Sequence, residues 1–220
     1  MVAWNTMIIT VSRQAASRGE QVARRAAERL GVPLIDPEVV ARAAVRLDLH
    51  REDLSGEDRA ARAGERLGRT ALEVAGESAD DTHWTSAPMP APDDAGFRHA
   101  IDTMIRSLAD DASFVIVGYP AQVVLGRQGK GVHLLVVAPL AVRVQRMVLR
   151  EDLNPRDATR VLRESDRSRL EFYKRYYDFV WDEPTGYDCV LNTGRLSVEE
   201  AAGIIEVVAR GRYGAAGHSP

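Results

Sequence analysis

The segment "MIITVSRQAASRGEQVARRAAERLGVPLID", residues 7–36, decides the fold. Met7 to Val11 is short, apolar and rich in β-branched residues, which is typical of a buried strand in a parallel sheet. Apolar residues then recur at helical spacing from Glu20 to Leu30, and Gly31 is a typical helix stop. A second short strand follows at residues 32–35. This order of strand, small-residue loop, helix and strand is the layout of a phosphate-binding loop.

The alternation of strands and helices continues along the rest of the chain. Short apolar runs predict further strands over 114–118, 132–139 and 188–193. Such alternation predicts an α/β fold, in which a parallel sheet carries helices on both faces. Ligands in such folds bind beyond the carboxyl ends of the strands, and the first strand ends just before residue 12. Helices are predicted over 20–30, 37–47, 50–72, 97–108, 140–149, 155–177 and 197–210.

The composition indicates one soluble domain. The chain has 220 residues, 45% of them hydrophobic, and a net charge of −3, which gives no overall argument for nucleic-acid binding. Cys189 is the one cysteine, so no disulfide forms within the chain, and a reducing compartment fits. We expect neither a secretory leader nor a membrane span, and therefore a cytoplasmic protein.

The segment lacks the lysine of an ordinary phosphate-binding loop. In GxxxxGK[ST], backbone N–H groups surround the phosphates, the lysine reaches the β and γ phosphates, and the hydroxyl binds Mg²⁺. When the helices are matched on Val22-Ala23, the lysine position falls on Gly19 and the hydroxyl position on Gln21. The backbone cradle is therefore the part of this chemistry that the sequence retains.

Two further departures concern charge and backbone shape. Arg13 and Arg18 supply positive charge near the loop, in place of the lysine. Ala16 and Arg18, however, stand where glycine would let the backbone adopt positive φ. From the residues alone, an ordinary β–α turn remains an alternative to a phosphate site.

An arginine-rich segment lies near the end of the chain. Residues 143–175 contain ten basic and six acidic residues, although the whole chain is acidic, and such a local excess predicts an anionic ligand. One interpretation is a helical lid whose arginines fold over a transferred phosphoryl group. The alternative is a solvated helix stabilised by i,i+4 ion pairs such as Arg160 with Glu164. The lid candidates are Arg160, Arg163, Arg167 and Arg169, with Asp166 as an orienting partner.

Several segments occur in an order that resembles a known family. They are "ITVSRQ…S.GEQVA", "PLIDPEVV", "FVIVG", "LLVVAPLAVRVQRMV", "DRSRLEFYKRYYDFVW" and "YDCVLNT". Together they resemble the cytidylate-kinase-like family of P-loop proteins, a branch of the nucleoside monophosphate kinases. Members typically carry a loop like SRxxGSGG, which also lacks the lysine. Ala16 and Arg18 replace glycines of that pattern, and Tyr119 stands where the family usually has arginine.

The resemblance implies a P-loop kinase fold and assigns roles to particular residues. It implies one domain over residues 1–213, with a variable insert at 50–96, a helical arginine-rich lid at 150–178 and a disordered tail at 214–220. Asp36 and Arg42 would hold the acceptor, although Asp36 is also a good helix N-cap. The catalytic residues would be Arg160, Arg163, Asp166, Arg167 and Arg169, and the phosphate-binding residues Ser12, Arg13, Ser17, Arg18, Gly19 and Gln21.

Three functions follow as hypotheses. The first is ATP-dependent phosphorylation of a nucleoside monophosphate such as CMP, with Mg²⁺ held by phosphates and water because Gln21 occupies the hydroxyl position. The second is a catalytically degenerate protein that binds a nucleotide or another small anion as a sensor. The third is a kinase for a non-nucleotide small molecule, since residues 50–96 look unlike a standard acceptor domain. No metal-ligating side chains, nucleic acid or membrane are expected, and homo-oligomerisation is left open.

Overall fold

The computed structural model of the chain describes residues 6–76 and 95–214. The loop expected at 76–96 and the tail expected at 214–220 therefore lie, except for their end residues, outside the described residues. None of the described helices is long and apolar enough to cross a bilayer.

Five parallel strands form one sheet in the order β2-β3-β1-β4-β5. The first strand is thus central, pairing with β3 on one side and β4 on the other. Parallel pairing of strands that are not consecutive requires helical crossovers, and the chain provides them. The predicted α/β fold is therefore confirmed. The strands are β1 (Ile8–Arg13), β2 (Leu34–Ile35), β3 (Phe114–Val117), β4 (Val132–Val137) and β5 (Cys189–Asn192).

Helices cover both faces of the sheet. One helix, α5, was not predicted, because its six residues are too few to show a helical period. The charged segment after residue 50 is a short 3₁₀ turn at Arg51–Leu54 followed by a separate long helix. The helices are α1 (Gly19–Leu30), α2 (Pro37–Arg46), α3 (Glu57–Gly76), α4 (Ala95–Asp111), α5 (Ala121–Gly126), α6 (Leu140–Glu151), α7 (Pro155–Tyr177) and α8 (Val198–Tyr213).

Two hydrophobic cores result from the alternation of side chains along the strands. Ile9 and Val11 of β1 belong to the core under α1 and α8, whereas Ile8 belongs to the core on the opposite face, with residues of α3, α4, α5 and α7. Ion pairs join the outer surfaces of α1 and α8, where Arg25 and Arg29 contact Glu199. The burial of both sheet faces explains why the strands read as continuous apolar runs.

Side-chain caps determine where three helices begin. Ser197 and Glu200 form the predicted capping box of α8. Asn154 caps α7 ahead of a proline at its first position, and the Asp36 carboxylate accepts a hydrogen bond from the Val39 N–H at the start of α2. The N-cap interpretation of Asp36 is therefore confirmed, and the cap fixes the carboxylate at the end of β2.

The half-buried His133 of β4 predicts a pH-dependent contribution to stability. His133 Nδ1 lies 2.9 Å from Thr10 Oγ1, and burial lowers the pKa of His133 below its usual value. Between the folded and unfolded pKa values the unfolded chain binds more protons, so this contribution is present above about pH 6.5 and is lost as the pH falls through the folded pKa. We expect urea unfolding to show a smaller loss of stability from pH 7.5 to pH 5 in His133→Gln than in the wild type. The exposed-site control His50→Gln should keep the wild-type slope, and an unchanged slope in His133→Gln would contradict the assignment.

Candidate phosphate-binding site

The loop between β1 and α1, residues 13–19, lies at the carboxyl end of the central strand, and we call it the phosphate loop. The Gln14 N–H donates to Val136 O at 3.0 Å, and Gln14 Oε1 accepts from the Ala138 N–H at 3.1 Å. Both bonds tie the start of the loop to the end of β4. The loop therefore occupies the edge of the sheet where parallel α/β folds bind ligands.

Two residues of the loop that are not glycine adopt the left-handed backbone conformation. Ala16 has a φ of 58° and Arg18 a φ of 63°, and both lie in the left-handed region. Left-handed residues that alternate with ordinary ones direct backbone N–H groups into a concave anion-binding nest. For residues with a side chain, this conformation costs roughly 1–2 kcal/mol each. Ala16 and Arg18 therefore adopt, at a steric cost, the backbone conformation that glycine adopts freely.

Gly19 allows the close approach on which the start of α1 depends. A Cβ atom on Gly19 would lie 2.3 Å from Arg13 Cβ and 2.9 Å from Arg13 Cγ, which is far inside van der Waals contact. No side chain caps the N-terminus of α1. The first N–H groups of an uncapped helix, together with the positive end of its dipole, form a binding site for an anion.

The six residues predicted to bind phosphate fall into distinct environments. Ser17 is fully buried, at 0% exposure, and Ser12 is also buried, so neither hydroxyl is open to a ligand. Arg18 and Gln21 are exposed. The Arg13 guanidinium is largely buried and contacts Glu20, with Nε 2.5 Å from Oε1. The candidate ligand-binding groups of the loop are therefore the backbone around Gly19 and the arginine side chains.

The lid candidates on α7 separate into two groups. Arg169 Nη1 donates to Arg13 O at 2.8 Å, and its guanidinium lies 5.0 Å from the Trp181 ring. Burial and the neighbouring charge of Arg13 lower the pKa of Arg169 to about 10. Arg160, in contrast, is exposed and pairs with Glu164, as the alternative interpretation describes. Arg163 and Arg167 are exposed as well.

Three residues that were not singled out in the sequence hold the phosphate loop from outside. Arg143 is 4% exposed and donates to Ala15 O at 3.5 Å and to Asp166 at 3.1 and 2.9 Å. Arg146 donates to Ala16 O at 3.3 Å and to Thr193 O at 2.6 Å. Thr193 Oγ1 donates to Ser17 O. Asp166 thus pairs with Arg143 and not with a lid arginine.

The two residues predicted to hold the acceptor, Asp36 and Arg42, lie at the end of β2 and on α2. Asp36, at the end of β2, has its Oδ2 3.7 Å from Arg24 Nη2, whereas its predicted companion Arg42 is partly buried further along α2. Tyr119 is 6% exposed, and burial together with the charge of Asp36 raises its pKa. A buried neutral phenol therefore stands beside Asp36 where the resembling family usually has an arginine.

The profile of the cytidylate kinase-like family matches residues 8–195. The chain belongs to the cytidylate kinase-like family. The match begins at β1, includes the phosphate loop and α7, and ends just after Thr193, so every site residue described above falls within the family region.

Curated relatives agree with this membership, and a solved structure shares the fold. The chain is 31% identical over 114 residues to a cytidylate kinase of Methanopyrus kandleri, a match that covers 48% of this chain and 59% of that one. It is 35% identical over 69 residues to a cytidylate kinase of Natronomonas pharaonis, covering 31% and 36%. The matches thus span less than two thirds of either relative. An uncharacterized protein from Eubacterium ventriosum shares the fold, with a TM-score of 0.62 and 20% identity over 93% of this chain and 98% of that chain.

The residues at the loop fit a polyphosphate better than they fit a protein-bound metal. Among residues 6–76 and 95–214, no group of three or more histidine, cysteine, aspartate or glutamate side chains is placed to hold a metal ion. Mg²⁺ commonly binds through substrate phosphates and water, and needs few protein ligands. The uncapped start of α1, together with Arg13 and Arg169, offers N–H groups and positive charge to phosphate oxygens.

Proposed function

We propose that the chain is a nucleotide-dependent phosphotransferase that transfers the γ-phosphoryl group of ATP to a nucleoside monophosphate, with CMP as the first candidate. The observation that carries the proposal is the hydrogen bond from Arg169 on α7 to Arg13 O in the phosphate loop. It brings a second guanidinium to the loop, next to Arg13. Membership of the cytidylate kinase-like family supports the same reaction class.

The proposed role of the loop is to hold the donor phosphates. The N–H groups at the start of α1 bind phosphate oxygens, while Arg13 and Arg169 offset the negative charge that spreads over the transferred group. A phosphate oxygen of the acceptor attacks the γ phosphorus in line, and ADP leaves. Bound with the nucleotide, Mg²⁺ would neutralise charge on the β and γ oxygens. Gln21 occupies the loop position that would face such a metal, although it lacks the hydroxyl of an ordinary loop.

The acceptor would bind next to Asp36, on the side of the loop that faces β2. Asp36 accepts hydrogen bonds, and Arg24 and Arg42 offer positive charge to the acceptor phosphate. Arg163 and Arg167 are exposed along α7 and would reach the acceptor only if α7 closes further. In this proposal, α7 contributes Arg169 without any movement, and Arg163 and Arg167 on closure.

A specific observation favours a second function, in which the protein binds a nucleotide without transferring phosphate. The arginine position of the family is a buried tyrosine, Tyr119, which cannot neutralise an acceptor phosphate. In addition, Glu20 already pairs with Arg13 and reduces the charge available to a donor phosphate. The same change at Tyr119 is compatible with a kinase whose acceptor is a small molecule without phosphate.

A coupled assay of ADP formation with ATP, Mg²⁺ and a panel of monophosphates tests the proposed function. We expect turnover with at least one monophosphate, CMP first, and only slow ADP formation without an acceptor. Calorimetry with ATP runs in parallel. Binding of ATP without turnover of any monophosphate would reject the kinase and support the second function. Absence of both binding and turnover would reject both functions.

A further inference from the structure

The left-handed conformations of Ala16 and Arg18 need support from their surroundings. Both residues carry side chains, and their φ angles of 58° and 63° are those that glycine adopts without steric cost. A short loop that contains two such residues would relax unless other groups held it. The hydrogen bonds to the loop carbonyls identify those groups.

Both peptide planes that flank Ala16 are held. Arg143 Nη1 donates to Ala15 O at 3.5 Å, which fixes the plane before Ala16. Arg146 Nη1 donates to Ala16 O at 3.3 Å, which fixes the plane after it. The angles φ and ψ describe the rotation of these two planes about the Cα atom. Two arginines from α6 therefore determine the backbone conformation of Ala16.

Arg18 is held in the same way by different groups. Thr193 Oγ1 donates to Ser17 O, which fixes the plane before Arg18. The Val22 N–H donates to Arg18 O at 3.0 Å, which fixes the plane after it as the first bond of α1. The turn after β5 and the helix itself thus determine the second left-handed residue.

The groups that hold the loop are themselves fixed. Arg143 donates from Nε to Ala138 O at 3.1 Å and forms a two-bond pair with Asp166 of α7. Arg146 is tied to Thr193 O at 2.6 Å. In a trans peptide the carbonyl and the following N–H point in opposite directions. Holding the carbonyls of Ala15 and Ser17 from outside therefore directs the N–H groups of Ala16 and Arg18 to the opposite side, as an anion site needs.

We propose that Arg143, Arg146 and Thr193 are positioning residues, which hold the phosphate loop in the shape that glycine provides in other loops. They act on the ligand through the backbone of Ala16 and Arg18. Asp166 supports this arrangement by fixing the Arg143 guanidinium. The consequence for polyphosphate binding rests on the proposed function, whereas the effect on the loop does not.

A double-mutant cycle between Arg143→Lys and Ala16→Gly tests this role, with inorganic tripolyphosphate as the calorimetric probe. Lysine keeps the charge but cannot bond to Asp166 and two carbonyls at once. We expect Arg143→Lys alone to weaken tripolyphosphate binding about tenfold, equivalent to about 1.4 kcal/mol. In the Ala16→Gly background, Arg143→Lys should weaken tripolyphosphate binding less than about threefold, because glycine adopts positive φ without support. The control Arg156→Lys, at an exposed position in the first turn of α7, should change neither background.

If Arg143 only supports the fold, Arg143→Lys should weaken tripolyphosphate binding equally in the wild type and in the Ala16→Gly background. Such additivity would overturn the proposal. If Arg143→Lys does not fold, the cycle of Thr193→Val with Arg18→Gly asks the same question of the second left-handed residue. The decisive quantity is the interaction free energy between the two changes. The loss of the Arg18 charge affects both sides of the cycle equally and therefore cancels. A smaller loss of tripolyphosphate affinity from Thr193→Val in the Arg18→Gly background than in the wild type supports the proposal. Equal losses in the two backgrounds overturn it.

Hydrogen exchange without ligand separates this proposal from the proposed function. Amides of residues 14–18 should exchange about tenfold faster in Arg143→Lys and at the wild-type rate in Arg156→Lys. If the wild type binds neither tripolyphosphate nor ATP and exchange still accelerates, the proposed function fails while the positioning role stands. If the wild type binds tripolyphosphate and exchange in residues 14–18 does not respond to Arg143→Lys, the positioning role fails.

Discussion

Replacing Arg169 by alanine is expected to lower kcat/KM for phosphoryl transfer about 10²–10³-fold, the effect of removing one preorganised charged donor from a reacting group. Arg169 is the lid arginine that bonds to the phosphate loop, through Arg13 O at 2.8 Å. Burial and the neighbouring charge of Arg13 lower the pKa of Arg169 to about 10, so its surroundings disfavour the charged form. An anionic ligand would favour the charged form. The coupled assay, with ATP and the best acceptor, measures the loss.

The matched control is Arg160→Ala on the same helix. Arg160 is exposed and pairs with Asp157 and Glu164, so its removal should change kcat/KM by no more than about twofold and stability by about 0.5 kcal/mol or less. Equal losses in the two variants would show that α7 contributes general positive charge and not a specific contact. Full activity in Arg169→Ala would remove Arg169 from the proposed site.

Replacing Gly19 by alanine is expected to abolish detectable ATP binding and to destabilise the fold by about 1–3 kcal/mol, as overpacking does. The added Cβ atom would meet Arg13 Cβ at 2.3 Å and Val136 Cβ at 3.3 Å. The conflict moves the start of α1 away from β1, and with it the N–H groups that would bind phosphate. Calorimetry with ATP and urea unfolding measure the two effects separately.

Gly68→Ala in α3 is the control for this substitution. A Cβ atom there would find its nearest neighbour, Met104 O, at 3.4 Å, which is ordinary contact. Alanine also favours the helix by about 0.5–1 kcal/mol over glycine, so stability should be unchanged or slightly increased and ATP binding unaffected. Normal ATP binding by Gly19→Ala would mean that the phosphates lie elsewhere.

The fold was predictable because its signals are local. The apolar run before Val11, the helical spacing up to Leu30 and the capping box at Ser197 each depend on a few neighbouring residues. The α/β class followed from the alternation of such segments. The left-handed backbone at Ala16 and Arg18 was not determined by those residues themselves, since neither prefers that conformation.

The supporting contacts of the loop were not predictable, because they join residues far apart in the chain. Arg143 and Ala15 are separated by 128 positions, and Thr193 and Ser17 by 176. Charge counting included Arg143 in a general basic surface, and nothing in the sequence drew attention to Thr193. Only the tertiary structure shows that these side chains meet loop carbonyls.

The arginines of α7 differ in the side of the helix on which they lie. At about 100° per residue, Arg169 lies on the same stripe as the buried Leu162, seven residues earlier, whereas Arg160 lies on the opposite side. An arginine within the apolar stripe of a helix must find a partner in the interior, and Arg169 finds the phosphate loop. Position on the helix thus distinguishes the loop contact from the exposed ion pairs.

The order of the strands gives the two ends of the site different resistance to local opening. The proposed donor end lies on β1, which is bonded on both sides and therefore exposes its amides only when much of the sheet separates. The proposed acceptor end depends on β2, a strand of two residues at the edge of the sheet. A strand this short, paired with one neighbour, opens at a lower free energy than the central strand. In the proposed kinase, the acceptor side of the site would therefore open at a lower free energy than the donor side.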